Sequence, residues 1–118
     1  MRLSEAIMLG STLSHQVFNR MHDSKGGRCA LGAAYHAMGI DQYDKTVPDI
    51  WPWTYERAFC PECANPWPVF MLIAHCLNDG HRWSRERIAD WVATVEPREE
   101  PASCTETVQA SLETVSSQ

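Results

Sequence analysis

The sequence predicts a mainly α fold, a small single-domain bundle of about four helices with a long Pro/Trp-rich irregular loop. Three observations carry that expectation. Apolar residues recur at helical spacing in several separate segments. Cap and stop residues such as Ser4, Gly39, Ser84 and Pro97 bracket those segments. Five of the seven prolines, with Trp51, Trp53 and Trp67, fall between Asp41 and Pro68, where proline removes backbone donors and excludes long helices. A chain of 118 residues that is 44% apolar suits one ordinary globular domain.

The first helix is expected from about Ser4 to Leu13, with Ser4 as its cap and Glu5 at its positive end. Leu3, Ile7 and Gly10 form one stripe, and Ala6, Leu9 and Leu13 an adjoining one. Gln16 to Met21 is too short to type. Asp23-Ser24-Lys25-Gly26-Gly27 is a turn signal. A second helix starts near Arg28 and stops at Gly39, a natural left-handed cap; its Ala and Gly residues let another helix approach closely. After the irregular loop, Val69 to Leu77 reads as a third, central helix ending at Asn78-Asp79-Gly80. There Asn tolerates left-handed backbone and Asp accepts turn N–H groups. Ser84 caps a fourth helix whose face is Ile88, Trp91, Val92 and Val95, stopped by Glu96-Pro97.

Charge divides the chain. From Glu96 onward there are five glutamates against Arg98 alone. The expected organisation is a helical domain over 1–96 and an acidic, flexible tail over 97–118, in which Val108, Leu112 and Val115 space a short, weak helix. The net charge of −5 argues against a general nucleic-acid binder. Neither a secretory signal nor an apolar run of membrane-spanning length is visible. The odd count of five cysteines then favours a reducing cytoplasm and thiols that are free or metal-bound.

Cys60-Pro61-Glu62-Cys63 is the sharpest motif, because two thiolates two residues apart can grip one zinc from a tight turn. Two more ligands are needed. Cys60, Cys63, His75 and His81 approximate a finger spacing, but prolines 66 and 68 and Gly80 break the helix a finger requires. Cys60, Cys63, Cys76 and His81 is the favoured set for a structural zinc, with Cys29 and His75 as substitutes. The metal-free alternative has Cys76 as a small buried hydrophobe and His75 as a hydrogen-bonded core residue. A redox pair fits poorly without an alternating strand–helix pattern.

Two other functions can be written. Cys29 would stand at a helix N-terminus, where the dipole lowers a thiol pKa, and His75 or His81 could serve as base, with Asn78 or Asp79 orienting it, in a thiol hydrolase. The alternative is a packed core Cys. Trp83 to Trp91, with Arg82, Arg85 and Arg87 near its start, invites a helix-turn-helix reading as a DNA-binding regulator, but an acidic, proline-broken segment follows where a recognition helix should be. A solvated helix start explains the arginines.

Arg28-Cys29-Ala30-Leu31-Gly32-Ala33-Ala34 and the segment from Leu77-Asn78-Asp79-Gly80 to Trp91 resemble a group of small uncharacterised bacterial and bacteriophage proteins. In that group a Cys-Ala-Leu-Gly-Ala helix and a later Asn-Asp turn before the final helix recur in this order. The resemblance implies a compact, mostly helical domain and no activity. The expectation from the residues and the resemblance together is a non-enzymatic accessory or protein-interaction domain of bacterial or phage origin, zinc-stabilised, with another protein as partner. The contact surface would lie in the Trp51 to Trp67 region, because exposed tryptophans often anchor interfaces.

Overall fold

The structure, a computed structural model, describes residues 1–40 and 45–97. The expected tail beyond Pro97, with Cys104 and the Val108, Leu112 and Val115 spacing, lies outside the described residues. The fold is mainly α. Helix α1 spans Leu3–Ser11, α2 Ala30–Ala37, α3 Val47–Ile50, α4 Val69–Met71 and α5 Arg85–Val95. A 3-10 turn covers Pro52–Tyr55, and α4 runs directly into a π-helix over Leu72–Gly80. Strands β1 (Arg57–Phe59) and β2 (Pro66–Pro68) pair antiparallel, with Ala58 opposite Trp67.

Helix α1 packs on α2 and α5. Leu3, Ala6, Ile7 and Gly10 are buried, whereas Leu9 and Leu13 of the second stripe are exposed. Gly10 makes the close approach possible: a Cβ there would stand 1.9 Å from the Ala33 carbonyl oxygen. Gly32 does the same on the other side of α2, where a Cβ would meet the Met21 carbonyl oxygen at 2.1 Å. The small-residue character of α2 therefore has a contact on each side. Gly39 takes a left-handed φ of 74° just after the helix, as its position predicts.

Ser4 is not the cap of α1. The cap position is Arg2, whose N–H donates to Glu5 Oε1 at 3.1 Å. Ser4 lies inside the helix and is buried, donating its N–H and its hydroxyl to the Glu96 carboxylate. Glu96 also pairs with Arg2 at 2.9 Å. The glutamate that ends α5 thus occupies the donors at the start of α1, because two helix ends of complementary polarity meet there.

Asp23 closes the loop between α1 and α2. Its Oδ1 accepts the N–H groups of Gly27 (2.7 Å) and Lys25 (3.0 Å), and the Gly27 bond above all holds its carboxyl below the usual value. The untyped segment 16–21 runs beside residue 28: Val17 N–H donates to the Arg28 carbonyl, and Cys29 N–H to that of Met21. Arg85, expected to be solvated, is buried. Its guanidinium donates to the carbonyl oxygens of Ser11, Ser14 and Arg28. Arg82 lies over the Phe18 ring and Arg87 over the Trp83 ring. Arg82 and Arg87 are exposed, as expected of a solvated helix start, and Arg85 alone departs from it.

The Pro/Trp-rich loop is more ordered than its composition suggests. Val47–Ile50 makes a helical turn with Pro48 near its start, where a missing N–H removes nothing. Trp51 is buried and donates Nε1–H to the Met1 carbonyl at 3.0 Å. The short hairpin β1–β2 then carries the Cys60-Pro61-Glu62-Cys63 motif at its tip.

Candidate metal centre

The hairpin tip is a tight knuckle. Cys60 N–H donates to the Asn65 carbonyl at 3.0 Å, and Ala64 N–H to the Cys60 carbonyl at 2.9 Å. Closing so short a turn sends Ala64 to φ 64°, a left-handed conformation that disfavours any residue with a Cβ. The turn aims two more N–H groups, of Glu62 (3.4 Å) and Cys63 (3.5 Å), at the Cys60 sulfur. Glu62 Oε1 accepts from Trp83 Nε1 at 2.8 Å, so the residue between the two cysteines ties the knuckle to the segment that enters α5.

Of the other two residues, Cys76 lies in the π-helix and His81 caps its C-terminal end. In an α-helix, residues five apart lie on different sides. A π-helix closes i→i+5 hydrogen bonds, and short π segments are frequent at functional sites. Here His81 N–H donates to the Cys76 carbonyl at 2.8 Å, which sets Cys76 and His81 one turn apart. Gly80 sits close to this turn: a Cβ there would stand a tight 3.2 Å from the His75 carbonyl oxygen. The helix continues to Gly80 rather than ending at Leu77, and Asn78 is part of it; the left-handed residue of this connection is Arg82, φ 57°.

Asn78 anchors the end of that helix. It is fully buried and uses both ends of its amide. Oδ1 accepts from Gln16 Nε2 (2.8 Å) and Ala30 N–H (3.2 Å). Nδ2 donates to the Val17 carbonyl (3.1 Å) and Asp79 Oδ1 (2.8 Å). One side chain thereby joins the π-helix, the 16–21 segment and the start of α2.

Hairpin tip and π-helix bring together Cys60, Cys63, Cys76 and His81, with one ligand atom from each all within 4.8 Å of one another. These are the four residues the spacing argument favours; His75, one residue from Cys76, is exposed and outside the group. Cys60 is buried, Cys76 half-buried and Cys63 exposed, and all three thiols are free. Cys63 Sγ and Cys76 Sγ are 3.6 Å apart.

The donor set fits a zinc ion on three counts. A Zn–S bond of about 2.3 Å implies about 3.8 Å between sulfurs at tetrahedral corners, close to that separation. His81 Nε2 is buried and has no hydrogen-bond partner, an arrangement a metal bond would relieve. The Cys60 thiol is also prepared for ionisation. Burial pushes it up, but the Cys63 and Glu62 N–H groups and donation from Cys76 and Cys63 outweigh that and leave it at about 7. Burial pushes Cys76 up, and the neighbouring Cys60 and Cys63 push it further, to about 12. Three sulfurs crowded without a cation cannot all ionise; a dication among them removes that conflict.

Cys29 is elsewhere. It caps α2, where its sulfur accepts from Gly32 N–H at 3.4 Å and lies 3.7 Å from Met21 Sδ. It is buried, and that burial raises its thiol pKa despite the helix N-terminus. The expected lowered thiol is therefore corrected: burial exceeds the lowering by the Gly32 and Leu31 N–H groups. Cys29 nonetheless lines a cleft of about 260 Å³ with His75 and Asp79. Of the three loop tryptophans, Trp51 is buried, Trp53 half-buried and Trp67 exposed. Phe59 and Trp67 of the hairpin, at 70% and 46% exposure, and Tyr55 of the preceding 3-10 turn, at 69%, hold large rings in water.

No protein-family model, curated protein or solved structure matches this chain.

Proposed function

We propose that the protein is a small non-enzymatic accessory domain, held by a structural zinc on Cys60, Cys63, Cys76 and His81, that binds another protein through its hairpin. The observation that carries the reading is the convergence of three sulfurs and the His81 imidazole, one ligand atom from each within 4.8 Å of the others. Hairpins of three-residue strands are marginal on their own. A zinc joining the tip to the π-helix would supply the missing restraint, since the ligand set is assembled only in the folded chain and metal binding there is folding free energy. The exposed Tyr55, Phe59 and Trp67 suit an interface anchor, because aromatic residues supply most hot spots.

The test is elemental analysis of the purified protein combined with chelation. Stoichiometric zinc, and a melting temperature that falls on chelation in the wild type but is already low in Cys60→Ser, support the reading. Absence of metal with an unchanged Cys60→Ser melting temperature removes it. For the interface, Phe59→Ser is expected to leave zinc content and stability unchanged while abolishing association with a partner the wild type recovers; equal recovery by both proteins contradicts it.

The shared cleft of Cys29, His75 and Asp79 favours a second reading, the thiol hydrolase. It requires Cys29 to be reachable. Alkylation of Cys29 in the folded protein supports it, and a Cys29 that resists alkylation until unfolding rejects it.

A further inference from the structure

The four-residue centre has an asymmetry that a purely structural zinc site does not need. Its three cysteines differ in access: Cys60 is buried, Cys76 half-buried and Cys63 exposed. The exposed cysteine also has its sulfur 3.6 Å from that of half-buried Cys76. Cys60, by contrast, is enclosed by the knuckle and holds two backbone N–H groups.

We infer that the centre is a peroxide-sensitive switch, in which hydrogen peroxide joins Cys63 and Cys76 as a disulfide and the metal is expelled. The inference rests on the zinc reading. The Cys63 thiolate attacks one peroxide oxygen; the O–O bond breaks, hydroxide leaves, and Cys63 becomes a sulfenic acid. The Cys76 thiolate then attacks the Cys63 sulfur. An S–S bond forms, the S–O bond breaks, and a second hydroxide leaves. Two thiolates lose one electron each, the peroxide gains both, and solvent protons convert the hydroxides to water. Oxidant access selects the first sulfur, as it does at other sensitive thiols that lie beside a resolving partner. An S–S bond of about 2.05 Å then requires the sulfurs to close by about 1.5 Å, a side-chain adjustment.

The consequence for the metal is direct. Zinc takes thiolate, not disulfide sulfur, so the ligand set falls from Cys60, Cys63, Cys76 and His81 to Cys60 and His81. The consequence for the fold is milder. The hairpin tip and the π-helix, formerly joined through the metal, become joined by the disulfide, and the Glu62 to Trp83 hydrogen bond at 2.8 Å still ties the knuckle to α5. Oxidation therefore exchanges one cross-link for another and leaves His81 free, with the domain still folded.

The test uses the full-length, zinc-loaded protein, with a colorimetric zinc chelator reporting release, circular dichroism reporting fold, and peptide mapping reporting the sulfur chemistry. Hydrogen peroxide is expected to release the whole zinc complement, to yield a Cys63–Cys76 disulfide and to preserve the helical signal; thiol reductant with added zinc restores the starting state. The same behaviour is expected of the protein carrying Cys29→Ser and Cys104→Ser, which keeps only the three ligand thiols. Zinc retained under peroxide, release with another cysteine pairing or with sulfinic and sulfonic acids alone, or unfolding on release each overturns the inference while the zinc reading stands. A protein with no stoichiometric zinc before peroxide is added overturns both.

Discussion

Replacing Asn78 by alanine tests how the π-helix is held. The side chain is fully buried, and its amide makes four hydrogen bonds, two of them to backbone groups, Ala30 N–H and the Val17 carbonyl. Gln16 and Asp79 can turn to other partners. The two backbone groups cannot, and each loses its compensation where water has little access. At about 1–3 kcal/mol for a buried group left unpaired, the loss is about 3–4 kcal/mol. For a folded unit of this size that corresponds to a fall in Tm of about 15–20 °C. Urea denaturation should show a lowered midpoint with an unchanged slope, the signature of lost stability rather than altered compactness. A loss below about 1 kcal/mol would refute the reasoning. Asn78→Asp sharpens the test. It keeps an acceptor for Gln16 and Ala30 but turns the Nδ2 donor into a carboxylate oxygen facing the Val17 carbonyl and Asp79. The introduced carboxyl is then raised in the folded state above its unfolded value, because its charged form meets acceptors and another carboxylate. Its tolerated, protonated form contributes fully below the unfolded value near 3.9 and is lost as pH rises through the folded value. The variant should therefore be closest to wild type in acid and fall away towards neutrality; a deficit independent of pH would contradict this account.

Gly10→Ala should destabilise by about 2–3 kcal/mol in the same assay, because its Cβ would meet the Ala33 carbonyl at 1.9 Å and helix backbones must separate; a change within 0.5 kcal/mol or so, typical of surface substitutions, would contradict the close approach of α1 and α2. Ala64→Gly should be neutral to stabilising by up to about 1 kcal/mol, as the left-handed penalty at φ 64° is removed against the backbone entropy of glycine. Ala64→Val should destabilise, and thermal melts of the zinc-loaded proteins would rank the three; valine ranking highest would overturn the knuckle geometry. Zinc affinity should rise with pH. Cys76, pushed up to about 12, is a thiol at neutrality and must give up its proton to the metal, which is worth about tenfold in affinity per pH unit. Cys60, at about 7, adds its own proton mainly below neutrality. Competition titrations at pH 6 and 8 should therefore differ by at least about a hundredfold, and equal affinities would exclude Cys76 as a ligand.

The elements legible in the sequence are those fixed by local chemistry. Ser84 caps α5, accepting Arg87 N–H at 3.1 Å, as an N-cap serine should. Gly39 ends α2, and of the face expected on α5 Ile88 and Val92 are buried, Trp91 is half-buried and Val95, in the last turn, is exposed. The four candidate ligands were legible for the same reason: the pair at Cys60 and Cys63 is a local spacing, and Cys76 and His81 stand at the end of the expected central helix and in the loop after it. What was not legible depends on contacts between distant segments. Ser4 has the chemistry of a cap, yet Glu96, 92 residues away, takes its donors. Arg85 has the pattern of a solvated helix start, but the carbonyl oxygens it satisfies belong to Ser11, Ser14 and Arg28. The hairpin escaped notice because its strands have three residues each and the second carries two prolines, against every strand propensity. The π-helix has no local signature in periodicity. The one available hint was the separation of five between Cys76 and His81, which an α-helix cannot place on one side.

The central claim is that these four residues hold one zinc, and X-ray absorption at the zinc edge of the purified, reduced protein tests it most directly. The expected shell is three sulfurs at about 2.3 Å and one nitrogen at about 2.0–2.1 Å, with no further oxygen ligand. A zinc-free protein, or a shell of nitrogen and oxygen with fewer than three sulfurs, would contradict it.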